Sequence, residues 1–131
     1  MAERDIIIGI DAGTSVIKAV AFSLSGRQLG DAAVPNQYAS GPSGAATQDM
    51  NRTWEDCASA LRCLGDKIKD LANRTVALAV TGQGDGTWLV GKDNPPVSDA
   101  WLWLDARAAE TRAILRLKTL IQNGSTSLAP H

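Results

Sequence analysis

Residues 6–15 read Ile6-Ile7-Ile8-Gly9-Ile10-Asp11-Ala12-Gly13-Thr14-Ser15, and a second apolar run, Val16-Ile17-Lys18-Ala19-Val20-Ala21-Phe22, follows directly. A near-continuous apolar run that ends at a turn predicts a fully buried strand. We therefore expect two interior strands joined by a tight reversal at Gly13-Thr14-Ser15. The carboxylate of Asp11 is then expected at the end of the first strand.

The predicted reversal carries groups that suit a phosphate and its metal ion. Glycine lets a ligand approach the backbone, and consecutive N–H groups in a turn form an anion-binding concavity. Thr14 and Ser15 add hydroxyl donors, and Asp11 can hold a divalent cation directly or through water. Lys18 interrupts the second apolar run, where its ammonium can counter phosphate charge. Nucleotide handling is the leading hypothesis; the alternatives are an ordinary hairpin turn and a Lys18 that faces water on an edge strand.

Composition limits the class of protein. The 131 residues include 13 Lys and Arg against 14 Asp and Glu, with a formal charge of −1, so we expect no nucleic-acid partner. The apolar runs are far shorter than the roughly 20 residues that span a bilayer, so we expect no membrane partner. The charged start, Met1-Ala2-Glu3-Arg4-Asp5, is a poor signal peptide, and we expect a cytoplasmic protein with Cys57 and Cys63 as reduced thiols.

Beyond the hairpin, strand patterns give way to alternating helices and strands, which predicts an α/β layer fold with a mixed sheet. The first predicted elements are a strand over 27–34 that ends at Pro35 and a polar loop over 36–47. A helix follows, which Asp49 or Asn51 caps and Asn73-Arg74 closes. The remaining predicted elements are a short buried strand over 76–80, strands over 87–90 and 100–104, and a helix from about 105 to 122 that stops at Asn123-Gly124. The predicted inner faces of the two helices are Trp54, Cys57, Ala58, Leu61, Leu64, Ile68, Leu71 and Ala72, and Ala109, Ile114, Leu117, Leu120 and Ile121.

Two later segments carry polar groups that suit a polyhydroxylated ligand. Thr81-Gly82-Gln83-Gly84-Asp85-Gly86 offers an amide and a carboxylate, although a flexible turn without a ligand is the alternative. It lacks the glycine spacing of a P-loop or a dinucleotide site. Trp101, Trp103 and Asp105-Ala106-Arg107 could hold the C–H face of a carbohydrate. They could equally be core tryptophans beside a helix cap that pairs with Arg107.

Four segments in this order resemble the FGGY carbohydrate kinases, which belong to the actin-like ATPase superfamily. They are Gly9–Lys18 (the family's phosphate hairpin), Gln48-Asp49 with Trp54 (its acidic segment before the first helix), Thr81–Gly86 (the strand end that contacts the sugar) and Trp103–Arg107 (its Trp-x-Asp-x-Arg-like segment). Within the family, Gly-Gln-Gly-Asp-Gly-Thr-Trp and Trp-Leu-Trp-Leu-Asp-Ala-Arg are most similar to erythritol kinases, with L-xylulose-type kinases next. Met50 stands where the family often has proline.

The resemblance implies a ribonuclease H-like or actin-like α/β mixed sheet with flanking helices. Residues 1–131 would be an incomplete FGGY N-terminal domain with the phosphate hairpin and part of the polyol pocket. The implied activity is transfer of the ATP γ-phosphate, with Mg²⁺, to a hydroxyl of a small polyol, erythritol first, or of L-xylulose or another pentulose. By position, Asp11 would organise the metal, Gly13, Thr14, Ser15 and Lys18 would meet the phosphate, and Gln83, Gly84, Asp85, Trp103 and Arg107 would form the substrate pocket.

The resemblance also implies what lies outside this chain. Members of the family are several times longer, and their catalytic aspartate and adenosine-binding half would come beyond His131. We therefore expect an N-terminal fragment that is inactive alone, from a parent that forms a homo-oligomer, with no role for His131. A non-catalytic binding or assembly module remains an alternative. An acyl-phosphate kinase remains another, although it leaves the Gln83–Asp85 and Trp103–Arg107 segments unexplained.

Overall fold

A computed structural model describes residues 4–125, and Met1–Glu3 and residues 126–131, including His131, lie outside the described residues. The strands are β1 (Ile6–Ala12), β2 (Val16–Ser23), β3 (Gln28–Pro35), β4 (Ala39–Ser40), β5 (Ala46–Gln48), β6 (Thr75–Gly82) and β7 (Ala100–Trp101). The helices are α1 (Met50–Lys67), α2 (Leu71–Arg74) and α3 (Ala108–Ser125), with one 3₁₀ turn at Pro42–Gly44.

The strands form one large mixed sheet and one small sheet. The large sheet has the order β3-β2-β1-β6, in which β1–β2 and β2–β3 are antiparallel and β1–β6 is parallel. The small sheet has the order β4-β5-β7 and is antiparallel. The predicted α/β fold with a mixed sheet is confirmed, and so is the antiparallel third strand that ends at Pro35.

The β1–β2 turn (Gly13–Ser15) is the tight reversal that the sequence predicts. Ala12 pairs with Ile17 across the two antiparallel strands, so only a short link joins them. A Cβ atom on Gly13 would lie 2.8 Å from the carbonyl oxygen of Val16. Any larger residue at position 13 would therefore have to displace the backbone of β2.

The strand β1 is half-buried, so the prediction of a fully buried strand was wrong. Ile6, Ile8 and Ile10 are buried in the core under α1, whereas Ile7 and Asp11, whose side chains lie on the opposite face, are exposed. Full burial of a strand needs a covering layer on both faces of its sheet. Here α1 covers one face, and the other face, which carries Asp11 and Lys18, is exposed and is called the open face below.

The helix α1 begins where the sequence predicts but ends earlier. Asp49 is the cap, because its Oδ1 accepts hydrogen bonds from the backbone N–H groups of Asn51 at 2.8 Å and Arg52 at 3.1 Å. Ile68 is extended and Asp70 has a left-handed φ of 59°, so the helix stops before α2 instead of continuing to Arg74.

One side of α1 also packs differently from the prediction. Leu64 is buried as expected, but the side chain of Trp54 is 75% exposed. The reason is that α1 packs on β2 and β3 and does not extend over β6. Trp54 consequently lies beside an open apolar groove whose other wall includes Leu78 and Val80.

The strand β6 is longer than the predicted strand over 76–80, and it is not buried. It lies at the edge of the large sheet, where Val76, Leu78 and Val80 are 47–63% exposed. An apolar run of this length cannot by itself distinguish a central strand from an edge strand, because both need β-forming residues.

The C-terminal part of the described chain also departs from the prediction. Residues 87–90 form two isolated bridges instead of a strand, and the predicted strand over 100–104 is limited to Ala100–Trp101. The helix α3 starts at Ala108 and continues through Asn123-Gly124, since a single glycine in a helix costs only about 1 kcal/mol. Its predicted inner face, which includes Ile114, Leu117, Leu120 and Ile121, is at least half exposed.

We predict that the chain self-associates through β6. The outer backbone edge of β6 pairs with no other strand of residues 4–125, and exposed apolar strand edges pair with further chains. Leu78→Lys places a charge on this strand and is expected to shift the mass measured by light scattering toward the monomer. Leu89→Lys, at a similarly exposed leucine outside the sheet, is the matched control. A monomeric wild-type chain with a cooperative melt would contradict this prediction.

Candidate functional site

The open face places Asp11 and Lys18 side by side. They are direct partners across β1 and β2, which sets their Cβ atoms about 4.5–5.5 Å apart. Both line a shallow depression of about 300 Å³, together with Gly9 and Thr81. Because β2 lies between β1 and β3, Lys18 is not on an edge strand, but its side chain does face water, as that alternative expected. A carboxylate and an ammonium are thus both accessible to a charged ligand here.

The parallel pairing of β1 with β6 brings the two predicted polar segments to one end of the sheet. Asp11 pairs with Thr81, and Ala12 pairs with Gly82. Both strands therefore end together, and Gln83 follows at the same edge as the β1–β2 turn. A single ligand-binding cleft requires the β1–β2 turn and Gln83 to lie close together in this way.

Two buried amides contact the carbonyl oxygens of the β1–β2 turn. The Nδ2 group of Asn36 donates a hydrogen bond to the carbonyl of Gly13 at 2.8 Å, and the Nε2 group of Gln48 donates to that of Thr14 at 3.0 Å. The backbone N–H of Asn36 donates to the carbonyl of Ser15 at 2.9 Å. Sequence reasoning missed Asn36, because a contact across 23 residues leaves no local signal.

Gln83 is linked to the turn through one intervening side chain. Its Nε2 group donates to Oε1 of Gln48 at 3.3 Å, and Gln48 in turn holds the carbonyl of Thr14. The Oε1 atom of Gln83 is buried and has no hydrogen-bond partner within residues 4–125. A buried unpaired acceptor is costly, so this oxygen is suited to accept a hydrogen bond from a ligand hydroxyl.

A second depression gathers three of the five predicted substrate residues. Asp85, Trp103 and Arg107 line a cavity of about 210 Å³ together with Trp101, and these four residues are called the aromatic corner below. Gly84 is exposed on the turn before it and lines neither depression. Trp101 and Trp103 are both more than half exposed, so the alternative that they are core tryptophans is wrong.

Asp105 joins the aromatic corner to the small sheet. Its Oδ2 accepts from the backbone N–H of Ala46 at 2.9 Å and from Nη2 of Arg107 at 2.6 Å. The side chain of Asp105 is only 8% exposed. The hydrogen bonds from the Arg107 guanidinium, and then that from Ala46, hold the pKa of Asp105 well below its usual range. The alternative in which Asp105 caps the helix and pairs with Arg107 is confirmed for the pairing, but α3 begins only at Ala108.

Arg107 also supports one of the tryptophans. Its guanidinium carbon lies 4.4 Å from the centroid of the Trp101 ring, within the range of a cation–π interaction. The hydrogen bonds to Asp105 fix the plane of the guanidinium in that position. Arg107 therefore both lines the aromatic corner and holds the Trp101 ring in place.

Among the described residues, no group of three or more His, Cys, Asp or Glu side chains could hold a metal ion. None of the helices in this part of the chain is long and apolar enough to cross a membrane.

Comparison with known proteins identifies relatives over most of the chain. The chain is 71% identical over 107 residues to erythritol kinase of Brucella abortus (strain 2308). The aligned region covers 82% of this chain and 21% of that protein. It is 31% identical over 103 residues to L-xylulose/3-keto-L-gulonate kinase of Escherichia coli (strain K12). That alignment covers 79% of this chain and 21% of the relative. The chain thus spans about a fifth of the length of these curated relatives.

The fold is shared with a solved sugar kinase. The structure of xylulose kinase from Rhodospirillum rubrum aligns with a TM-score of 0.77 at 23% identity, over 86% of this chain and 23% of that one. The sequence also matches the model of the N-terminal domain of the FGGY family of carbohydrate kinases over residues 6–127. Together with the mixed sheet, the β1–β2 turn and the polar strand ends, this match shows that the chain belongs to the FGGY family of carbohydrate kinases.

Proposed function

We propose that this chain is the N-terminal part of an ATP-dependent kinase that transfers the γ-phosphate to a hydroxyl of erythritol. The observation that carries the proposal is the hydrogen-bonded link from the β1–β2 turn through Gln48 to Gln83. It joins a turn with phosphate-binding chemistry to a segment with polyol-binding chemistry. The 71% identity to an erythritol kinase supports erythritol as the substrate.

Asp11 fits the metal that accompanies ATP. Mg²⁺ is usually held by one or two carboxylates, several waters and the phosphates themselves, and Asp11 offers one exposed carboxylate. When bound, the ion would neutralise charge on the phosphates and hold them in one orientation. Lys18, directly opposite, would hold a compact positive charge near the same phosphates.

The β1–β2 turn would bind the transferred phosphate. Thr14 is partly exposed and Ser15 is exposed, so their hydroxyls are available as donors. Phosphoryl transfer needs positioning and charge stabilisation more than covalent chemistry from the protein. In this proposal the base that takes the proton from the substrate hydroxyl lies outside residues 1–131.

The polyol would lie between Gln83 and the aromatic corner. The unpaired Oε1 of Gln83 and the exposed carboxylate of Asp85 can accept hydrogen bonds from hydroxyl groups. The exposed face of Trp103 can cover the C–H surface of the carbon chain. Arg107 supports that wall through Trp101.

A kinase for L-xylulose or another pentulose is the second candidate. It is favoured by the 31% identity to the L-xylulose/3-keto-L-gulonate kinase. Both candidates use the same residues of this chain and differ in the carbonyl group of the substrate. Only a comparison of substrates distinguishes them.

The substrate prediction is tested on the full-length kinase with erythritol, xylitol, glycerol and L-xylulose in a coupled assay of ATP consumption. We expect the highest kcat/KM with erythritol. Asp85→Asn should raise KM for erythritol by about tenfold, the effect of one hydrogen bond to a charged group, and leave KM for ATP unchanged. Asp93→Asn, at an exposed loop aspartate, is the matched control. If no four- or five-carbon polyol or ketose supports ATP consumption, the substrate assignment is wrong.

Asp11→Asn tests whether the turn serves catalysis. The change keeps the shape of the side chain and removes its charge, so kcat should fall by about 10³-fold or more, equivalent to about 4 kcal/mol of transition-state stabilisation. Asp66→Asn, an exposed aspartate on α1, is the control and should retain wild-type kcat. Wild-type ATP turnover in Asp11→Asn would instead support the non-catalytic binding or assembly module.

A further inference from the structure

Asn36 and Gln48 are two buried amides that contact the β1–β2 turn, and the proposed function uses only Gln48, as a link to Gln83. Each is only 2% exposed. Burial of a polar side chain costs free energy unless its hydrogen bonds are made inside the protein. The NH₂ groups of both donate to carbonyl oxygens of the β1–β2 turn, at 2.8 Å and 3.0 Å, and that of Gln48 also donates to the carbonyl of Gln37 at 3.4 Å.

The orientation of each amide is fixed by its neighbours. A carbonyl oxygen of the turn can only accept, so the NH₂ group of each amide faces the turn. At the other end, the Nε2 group of Gln83 donates to Oε1 of Gln48 at 3.3 Å. Oδ1 of Asn36 lies 3.4 Å from the Oγ1 hydroxyl of Thr53, which also lies 3.0 Å from the carbonyl oxygen of Asp49.

These contacts set the direction of the N–H groups in the turn. In a trans peptide the C=O and the next N–H lie in one plane and point in opposite directions, and the described chain has no cis peptide. The Gly13 carbonyl points to Asn36, so the Thr14 N–H points away from it. By the same argument, the Ser15 N–H points away from Gln48.

We propose that Asn36 and Gln48 are positioning residues for phosphoryl transfer, which preset the N–H groups of Thr14 and Ser15 for the transferred phosphate. This inference rests on the proposed function. Donors that are already oriented require no reorganisation during the reaction, which is where electrostatic stabilisation is most effective. Gln48 also contacts Gln83, so it couples the position of the turn to the position of the polyol segment.

The test uses Asn36→Leu and Gln48→Met in the full-length kinase, because both keep the side-chain size and remove the donor. We expect kcat/KM for ATP to fall by about 10²-fold, as for the loss of one transition-state donor. Asn36→Leu should leave KM for the polyol within about twofold of wild type. Gln48→Met should raise it, because only Gln48 contacts Gln83.

Two controls separate positioning from stability. Gln28→Met removes an exposed amide that donates to Asp31 at 3.1 Å, away from the turn, and should change neither KM nor kcat. Leu64→Ala removes a fully buried core side chain and should lower Tm without an effect specific to ATP. If the two turn variants lower Tm as Leu64→Ala does but keep wild-type kcat/KM, the inference is overturned.

Thr53→Val provides a milder variant should the amide variants fail to fold. It is isosteric and removes the hydroxyl that contacts Oδ1 of Asn36 at 3.4 Å and the carbonyl of Asp49 at 3.0 Å. We expect its affinity for a non-hydrolysable ATP analogue, which carries the γ-phosphate, to fall by about fivefold in calorimetry without polyol, the effect of about 1 kcal/mol in one neutral hydrogen bond. Unchanged affinity for the analogue together with wild-type kcat/KM for ATP in a folded Thr53→Val protein overturns the inference.

Calorimetry with the non-hydrolysable ATP analogue also distinguishes failure of this inference from failure of the proposed function. A wild-type protein that binds the analogue but consumes no ATP with any polyol would refute the function, while the affinities of the variants for the analogue would still decide the positioning role. An active wild type with unaffected variants would refute positioning alone. A wild type that neither binds the analogue nor consumes ATP would refute both.

Discussion

Hydrogen bonds to the carbonyl oxygens of the β1–β2 turn are the constraint on which the candidate site depends. Backbone carbonyls removed from water must be paired, and here their donors come from the segments that follow β3 and precede α1. The absence of a side chain on Gly13 allows the backbone to close this tightly. The turn is therefore held by the residue that follows β3 and by the last residue of β5.

One-sided burial explains where the charged groups lie. The large sheet packs its core against α1 on one face, so Asp11 and Lys18 can remain hydrated on the other. A charge on the covered face would require a partner or a large desolvation cost. The same arrangement leaves β6 with an exposed edge and Trp54 beside an open groove. The exposed face and the exposed edge are thus two consequences of one packing arrangement.

The aromatic corner is held in place by an ion pair and hydrogen bonds rather than by packing in a hydrophobic core. Asp105 binds the Ala46 N–H and the Arg107 guanidinium together, and Arg107 supports the ring of Trp101. Trp101 can stay exposed here because its position is set by Arg107 and by its place in β7. Such a surface combines flat apolar area with hydrogen-bonding groups, which suits a small polyhydroxylated molecule.

The sequence by itself determined the elements whose signals are local: the β1–β2 reversal at Gly13, a helix cap at Asp49 or Asn51 and the polar strand end at Gln83. Turn chemistry, capping and hydrophobic periodicity act over a few residues, so they can be recognised without a structure. Tertiary structure alone decided that Asp49 is the cap, that β1 is half-buried, that β6 is an edge strand and that Trp54 is exposed. It also decided the contacts of Asn36 and Gln48 with the turn, which span 23 and 34 residues. Burial and long-range pairing depend on which elements pack together, and a local pattern carries no information about that choice.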